Sequence, residues 1–156
     1  MTATDPSRSA SPDADPDAGR PVVLVGVDES PASRAAMKWA VEHACATRAQ
    51  IRAVAVWHLP PQLGDVPVLP CEQLQEEAQA WLREAIPPDC SVPVHTEVVR
   101  GDPTAVLLEH AQRAQLIVLG NHGHGAIHSA IFGSVVQRCA HRARCPVVLV
   151  PGPVGR

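Results

Sequence analysis

Leu116-Ile117-Val118-Leu119-Gly120-Asn121-His122-Gly123, followed after nine residues by Gly133-Ser134, decides how this chain is read. A short apolar run that ends at a glycine reads as a buried strand. Ser134 to Arg142 reads as a helix, so the second glycine stands where a helix opens. Glycines at a strand exit can take positive φ and bring backbone N–H groups close to an anion. A Gly-Ser pair at the next helix adds free N–H groups, the helix dipole and a hydroxyl. The spacing therefore describes a two-part cradle for phosphate.

The chain on either side alternates strands with helices. Val22 to Val27 is a continuous apolar run and reads as a buried first strand. Asp28 and Glu29 end it, Ser30 is placed to cap a helix, and Pro31 occupies its first position. Met37, Ala40, Val41 and Ala44 follow helical spacing to about Thr47, and Ile51 to Trp57 is the second strand. His58 to Cys71, rich in proline, reads as a long loop. Glu72 to Ile86 is a helix with Leu74, Ala78, Trp81, Leu82 and Ala85 inward, stopped by Pro87-Pro88. Val92 to Val99 is a third strand nearer an edge, Thr104 to Ala114 a helix, and Pro146 to Val150 a last strand. Strands alternating with helices imply a parallel sheet with right-handed crossovers.

Composition agrees. The chain of 156 residues has room for one domain with a full core, and 46% of it is apolar. With three Trp, one Phe and no Tyr, that core must be aliphatic, which suits strands buried on both faces. A net charge of -3 offers no basic field for nucleic acid. No apolar run approaches the roughly 20 residues needed to cross a bilayer, so no membrane association is expected. The first residues are rich in Ala, Ser, Asp and Pro without an apolar centre, so they read as a disordered tail and not as a signal peptide. Five scattered cysteines, without a C-x2-C pair, fit a reducing, cytoplasmic setting. Cys45 and Cys139 read as small buried hydrophobes, whereas Cys71 and Cys90 stand in polar, proline-flanked surroundings.

Three elements together resemble the universal stress protein family: the glycine pattern, Val25-Gly26-Val27-Asp28-Glu29-Ser30 and Cys145-Pro146-Val147-Val148-Leu149-Val150. The likeness is to the branch that binds ATP through G-x2-G-x9-G-[S/T], and it runs from about Pro21 to Pro151. It implies one Rossmann-like α/β domain over residues 21–152, between tails at 1–20 and 153–156. It also implies a five-stranded parallel sheet in the order 3-2-1-4-5 with helices on both faces. Strands 1 and 4 are then neighbours where the winding reverses, and ligands of such sheets bind beyond the strand C-termini at that point. Asp28 and Gly120 fall at the mouth of this crevice. The resemblance further implies ATP as ligand, with Mg2+ as its companion, a homodimer often formed through the last strand, and a role in sensing or signalling stress.

The site residues expected on this reading are Val27, Asp28, Val56, Gly120, His122, Gly123, Gly133, Ser134 and Val135. Asp28 is either a ligand to ribose, base or a metal beside phosphates, or a carboxylate that favours a helix N-terminus. Val56 aligns with a family position whose backbone faces adenine. Gly26 either lets the base approach or relieves crowding in its strand. The family often has a small residue and then Arg where this chain has Asn121-His122. A histidine cannot supply arginine's constant charge, so phosphate contact there becomes dependent on pH. His122, His124 and His128, in a glycine-rich loop with no carboxylate close in sequence, do not make a coordination shell. His122-Gly123-His124 follows the fourth strand, whereas the H-x-G-H signature of nucleotidyltransferases follows the first. There is no P-loop lysine and no evident general base. A binding module is favoured over an enzyme, with a low-turnover ATP hydrolase or nucleotidyltransferase-like enzyme as the alternative.

Overall fold

The computed structural model describes residues 17–59, 70–121 and 133–153. Most of the tail, most of the long loop, and His122, Gly123, His124, Gly125 and His128 lie outside the described residues. The elements are β1 (Val22–Val27), α1 (Pro31–Thr47), β2 (Gln50–Trp57), α2 (Cys71–Ala85), β3 (Val94–Arg100), α3 (Pro103–Ala111), β4 (Leu116–Gly120), α4 (Ser134–Arg142) and β5 (Val147–Val150). The strands form one parallel sheet in the order β3-β2-β1-β4-β5. This is the architecture expected from the sequence.

Alternation along the strands divides the core between two layers. Val23, Val25, Ile51, Ala53, Ala55 and Val118 face α1 and α2. Leu24, Val54, Ile117 and Leu119 face α3 and α4. Ala32, Ala36, Ala40 and Ala44 are all buried under α1, so that helix lies close on the sheet.

Several element ends differ from the sequence reading, and prolines account for most of them. Pro93 cannot donate to a ladder, so β3 starts at Val94, although the Pro93 carbonyl accepts from Ile51 N–H at 2.8 Å. The same holds for β5, which starts at Val147; the Pro146 carbonyl accepts from Ile117 N–H at 3.0 Å. α2 begins at Cys71 and stops at Ala85, because Ile86, before Pro87, is extended with ψ 121°. α3 opens on Pro103, with the Asp102 carboxylate accepting from Ala105 N–H at 2.8 Å. It closes at Ala111, beyond which Gln112, Arg113 and Ala114 each bond three residues back.

Residues 17–20, read from sequence as tail, form a turn. Asp17 pairs with Arg20 at 3.0 Å, and the Gln50 side chain donates to the Asp17 carbonyl at 3.1 Å.

Cys139 is fully buried, as expected, but Cys45 is exposed. Cys45 follows Ala44 by about 100° around α1, which carries it off the buried stripe. Burial pushes the Cys139 thiol up to about 11, with the Asp102 carboxylate adding to the rise. A thiol held so far above neutral pH is almost wholly protonated and unreactive. Iodoacetamide at pH 8 should therefore modify exposed Cys45 and Cys71 and spare Cys139 until the protein unfolds. Peptide mass spectrometry of native and denatured samples checks this.

Candidate functional site

β1 and β4 pair with Val25 opposite Val118, so Val27 and Gly120 end the two strands side by side. β1 has β2 on its other flank, and the chain returns from β3 to place β4 here. The winding therefore reverses between β1 and β4, and the crevice of a doubly wound sheet opens at their C-terminal ends.

Asp28 stands at this mouth, half-buried. Its Oδ1 accepts from Ser30 N–H at 2.8 Å, while its own N–H donates to Ser33 Oγ at 3.0 Å. Ser30 Oγ in turn accepts from Ser33 N–H at 3.1 Å, which caps α1. Asp28 thus helps to build the start of α1, and one carboxylate oxygen is committed to that task. Ser33 is 2% exposed and was not among the expected site residues. Its role depends on the fold of the turn, which the residue type alone does not reveal.

The expected apolar positions separate by face. Val27 is buried among the residues under α1 and α2, so it can offer a ligand only its backbone. Val56 and Val135 each pack against the opposite cluster, on the α3 and α4 side of the sheet. Gly133 precedes α4 with φ -56° and ψ 151°, and among the described residues no side chain caps the helix there. Ser134 is its exposed first residue. The opening N–H groups of α4 and the Ser134 hydroxyl thus stand together at the helix start.

Gly120 requires a correction. Neither it nor Gly133 takes positive φ. A Cβ at Gly120 would lie 2.7 Å from the Ala32 carbonyl carbon and 2.8 Å from Ser33 N. Its side chain is absent because the first turn of α1 sits against the end of β4. Of the two readings of Gly26, crowding is the one realised: a Cβ there would lie 2.6 Å from a Leu119 methyl and 3.2 Å from Leu107. His122 and Gly123 lie outside the described residues. A groove of about 360 Å3 between α3 and α4, lined by Thr104, Leu108, Glu109, Arg138 and Arg142 among others, contains none of the expected site residues.

A parallel α/β domain wound in both directions from a β1–β4 crevice, with a helix opened by Gly133-Ser134 after β4, defines the class. The universal stress protein family model matches residues 20–151, and the chain belongs to that family. A universal stress protein of Mycolicibacterium smegmatis is 38% identical over 136 residues, which cover 82% of this chain and 45% of that protein. One from Mycobacterium tuberculosis is 34% identical over 140 residues, covering 86% of this chain and 46% of its own. The chain thus spans less than half the length of these curated relatives. Among solved structures, UspA of Lactobacillus plantarum superposes with a TM-score of 0.64 at 25% identity, over 84% of this chain and 97% of its own. A universal stress protein solved in complex with cAMP gives 0.59 at 27% identity, over 86% and 98%.

Proposed function

We propose that this chain is an adenine-nucleotide-binding module that takes ATP at the β1–β4 crevice and serves as a stress-response sensor or signalling unit. The observation that carries the reading is the start of α4, Gly133-Ser134-Val135, which no side chain caps among the described residues, on the strand connection that follows the switch point. N–H groups without intrahelical partners, together with a hydroxyl, suit phosphate oxygens. Gly123 and His122 complete the phosphate side in this reading. Val56 and the backbone at Val27 lie on the base side, and Asp28 lies between them. The likeness to a structure solved with cAMP supports an adenine ligand.

Asp28 also fits a supporting role toward Mg2+. Its Oδ1 is used by Ser30 N–H, and its other oxygen has no hydrogen bond among the described residues. A magnesium ion prefers one or two carboxylates plus phosphate oxygens. When bound, it would neutralise phosphate charge.

In this reading the protein is cytoplasmic and forms a homodimer through β5, the strand at one end of the sheet. All four β5 residues are half-buried, and an unpaired strand edge is open to pairing with a second copy. Among the described residues no helix is long and apolar enough to cross a membrane.

The test is to denature the purified protein and analyse the supernatant. Released adenine nucleotide supports the reading; its absence, together with no ATP-dependent rise in melting temperature, refutes it. Storage and catalysis separate by rate. Bound ATP should persist for many minutes with Mg2+ present, whereas phosphate release at about 1 s⁻¹ or faster would mark an enzyme.

His122 supplies a second expectation. A protonated imidazole attracts phosphate, so ATP binding by the wild type should strengthen relative to His122→Gln as pH falls toward 6. Comparing the two proteins cancels the protonation of the phosphate itself. Parallel pH curves would place His122 away from the anion.

A further inference from the structure

The groove of about 360 Å3 between α3 and α4 has walls of opposite charge. The α3 wall carries Asp102 and Glu109, which lie two turns apart on one face. The α4 wall carries Arg138 and Arg142, one turn apart and so neighbours on the helix surface. None of these four side chains is in an ion pair among the described residues. Asp102 uses Oδ1 to accept from Ala105 N–H at 2.8 Å. Carboxylates and guanidiniums therefore face the same gap without closing on each other.

Both walls lie near one buried residue. Burial is the main cause of the raised Cys139 thiol, but the Asp102 carboxylate adds to the rise and the Arg142 guanidinium opposes it. Thr104 adds a polar group without a partner. It lines the groove, is 3% exposed, and its buried Oγ1 has no hydrogen bond among the described residues. Buried hydroxyls are normally bonded, so this one calls for a partner. Leu108, one turn further along α3, gives the groove apolar surface.

We propose that this groove is a second ligand site, for a small zwitterion of dipeptide size. Its carboxylate lies between Arg138 and Arg142, its ammonium at Glu109 and its apolar body along Leu108. Charge complementarity selects the class. A purely anionic ligand would meet Asp102 and Glu109, and a purely cationic one would meet two arginines. Like charges one turn apart repel, and a carboxylate shared by two guanidinium forks removes that repulsion. A single amino acid holds both charges on one carbon, whereas the two ends of a dipeptide can reach opposite walls. The peptide group between them supplies a partner for the Thr104 hydroxyl. A groove of about 360 Å3 is at the small end of ligand pockets, which suits such a molecule.

The experiment titrates the isotope-labelled full chain with Gly-Leu, N-acetyl-Gly-Leu and Gly-Leu amide, followed by amide NMR. Gly-Leu should bind with a Kd of about 1 mM or less and shift amides of α3 and α4. Removing either terminal charge should raise the Kd at least about tenfold. Arg142→Gln should erase the difference between Gly-Leu and its amide. Glu109→Gln should erase the difference between Gly-Leu and the acetylated form. Both side chains are exposed, so the variants should keep the fold. The capped peptides decide the matter on the wild type even if a variant does not fold. Absence of shifts at about 10 mM Gly-Leu overturns the proposal. Equal affinities for the three peptides, or shifts away from α3 and α4, overturn it as well.

Discussion

Gly120→Ala is expected to lower the stability of the fold by about 3 kcal/mol, a cost typical of overpacking against atoms that cannot yield. The new methyl would meet the Ala32 carbonyl carbon at 2.7 Å and Ser33 N at 2.8 Å. Both are backbone atoms of the first turn of α1. Relief requires that turn to move, and the Asp28–Ser30–Ser33 hydrogen bonds move with it. Gly26→Ala is the informative contrast. Its closest contact, 2.6 Å, is with a Leu119 methyl, the far end of a side chain that can change rotamer. That substitution should cost about 1 kcal/mol. Urea unfolding of the two variants beside wild type measures both. Equal costs, or a larger one at Gly26, would contradict the assignment of Gly120 to helix–sheet packing.

Gly123→Val should weaken ATP binding by at least about tenfold, with little change in melting temperature. A branched side chain keeps backbone N–H groups away from an anion and disfavours positive φ. Loss of two or more charge-assisted hydrogen bonds, each worth about 1.5–3 kcal/mol, sets the scale. Calorimetry with ATP decides it. Full affinity in a folded variant would remove Gly123 from the phosphate side. Two of the motif's three glycines thus have different expected phenotypes: stability at Gly120, affinity at Gly123.

That division could not be read from spacing. The motif locates both glycines, and the alternation of apolar runs with amphipathic segments is enough to order the nine elements of the described residues. Which atoms a missing side chain would strike depends on how closely α1 lies on β4, and no local pattern encodes that distance. The hydrogen bond from Gly152 N–H to Asn121 Oδ1 is hidden for the same reason, since it joins residues 31 apart. Asp28 was legible as a carboxylate at the crevice. Its bond to Ser30 N–H required the turn to be built. Strand ends shifted wherever a proline's carbonyl joined the ladder while its nitrogen could not, as at Pro93 and Pro146. Cys45 was misplaced because one residue along a helix changes its face, whereas Cys139, in a stripe with Val136, was placed correctly.

The central claim is that phosphate oxygens meet the start of α4 while the base lies toward β2. Backbone amide NMR of the isotope-labelled wild type, titrated in turn with ATP and adenosine, tests it most directly. ATP should shift the amides of Gly133, Ser134 and Val135 together with those near Asp28 and Val56. Adenosine should shift the second group and leave the α4 amides in place. Shifts confined to other parts of the fold, or α4 amides indifferent to ATP at saturation, would contradict the account.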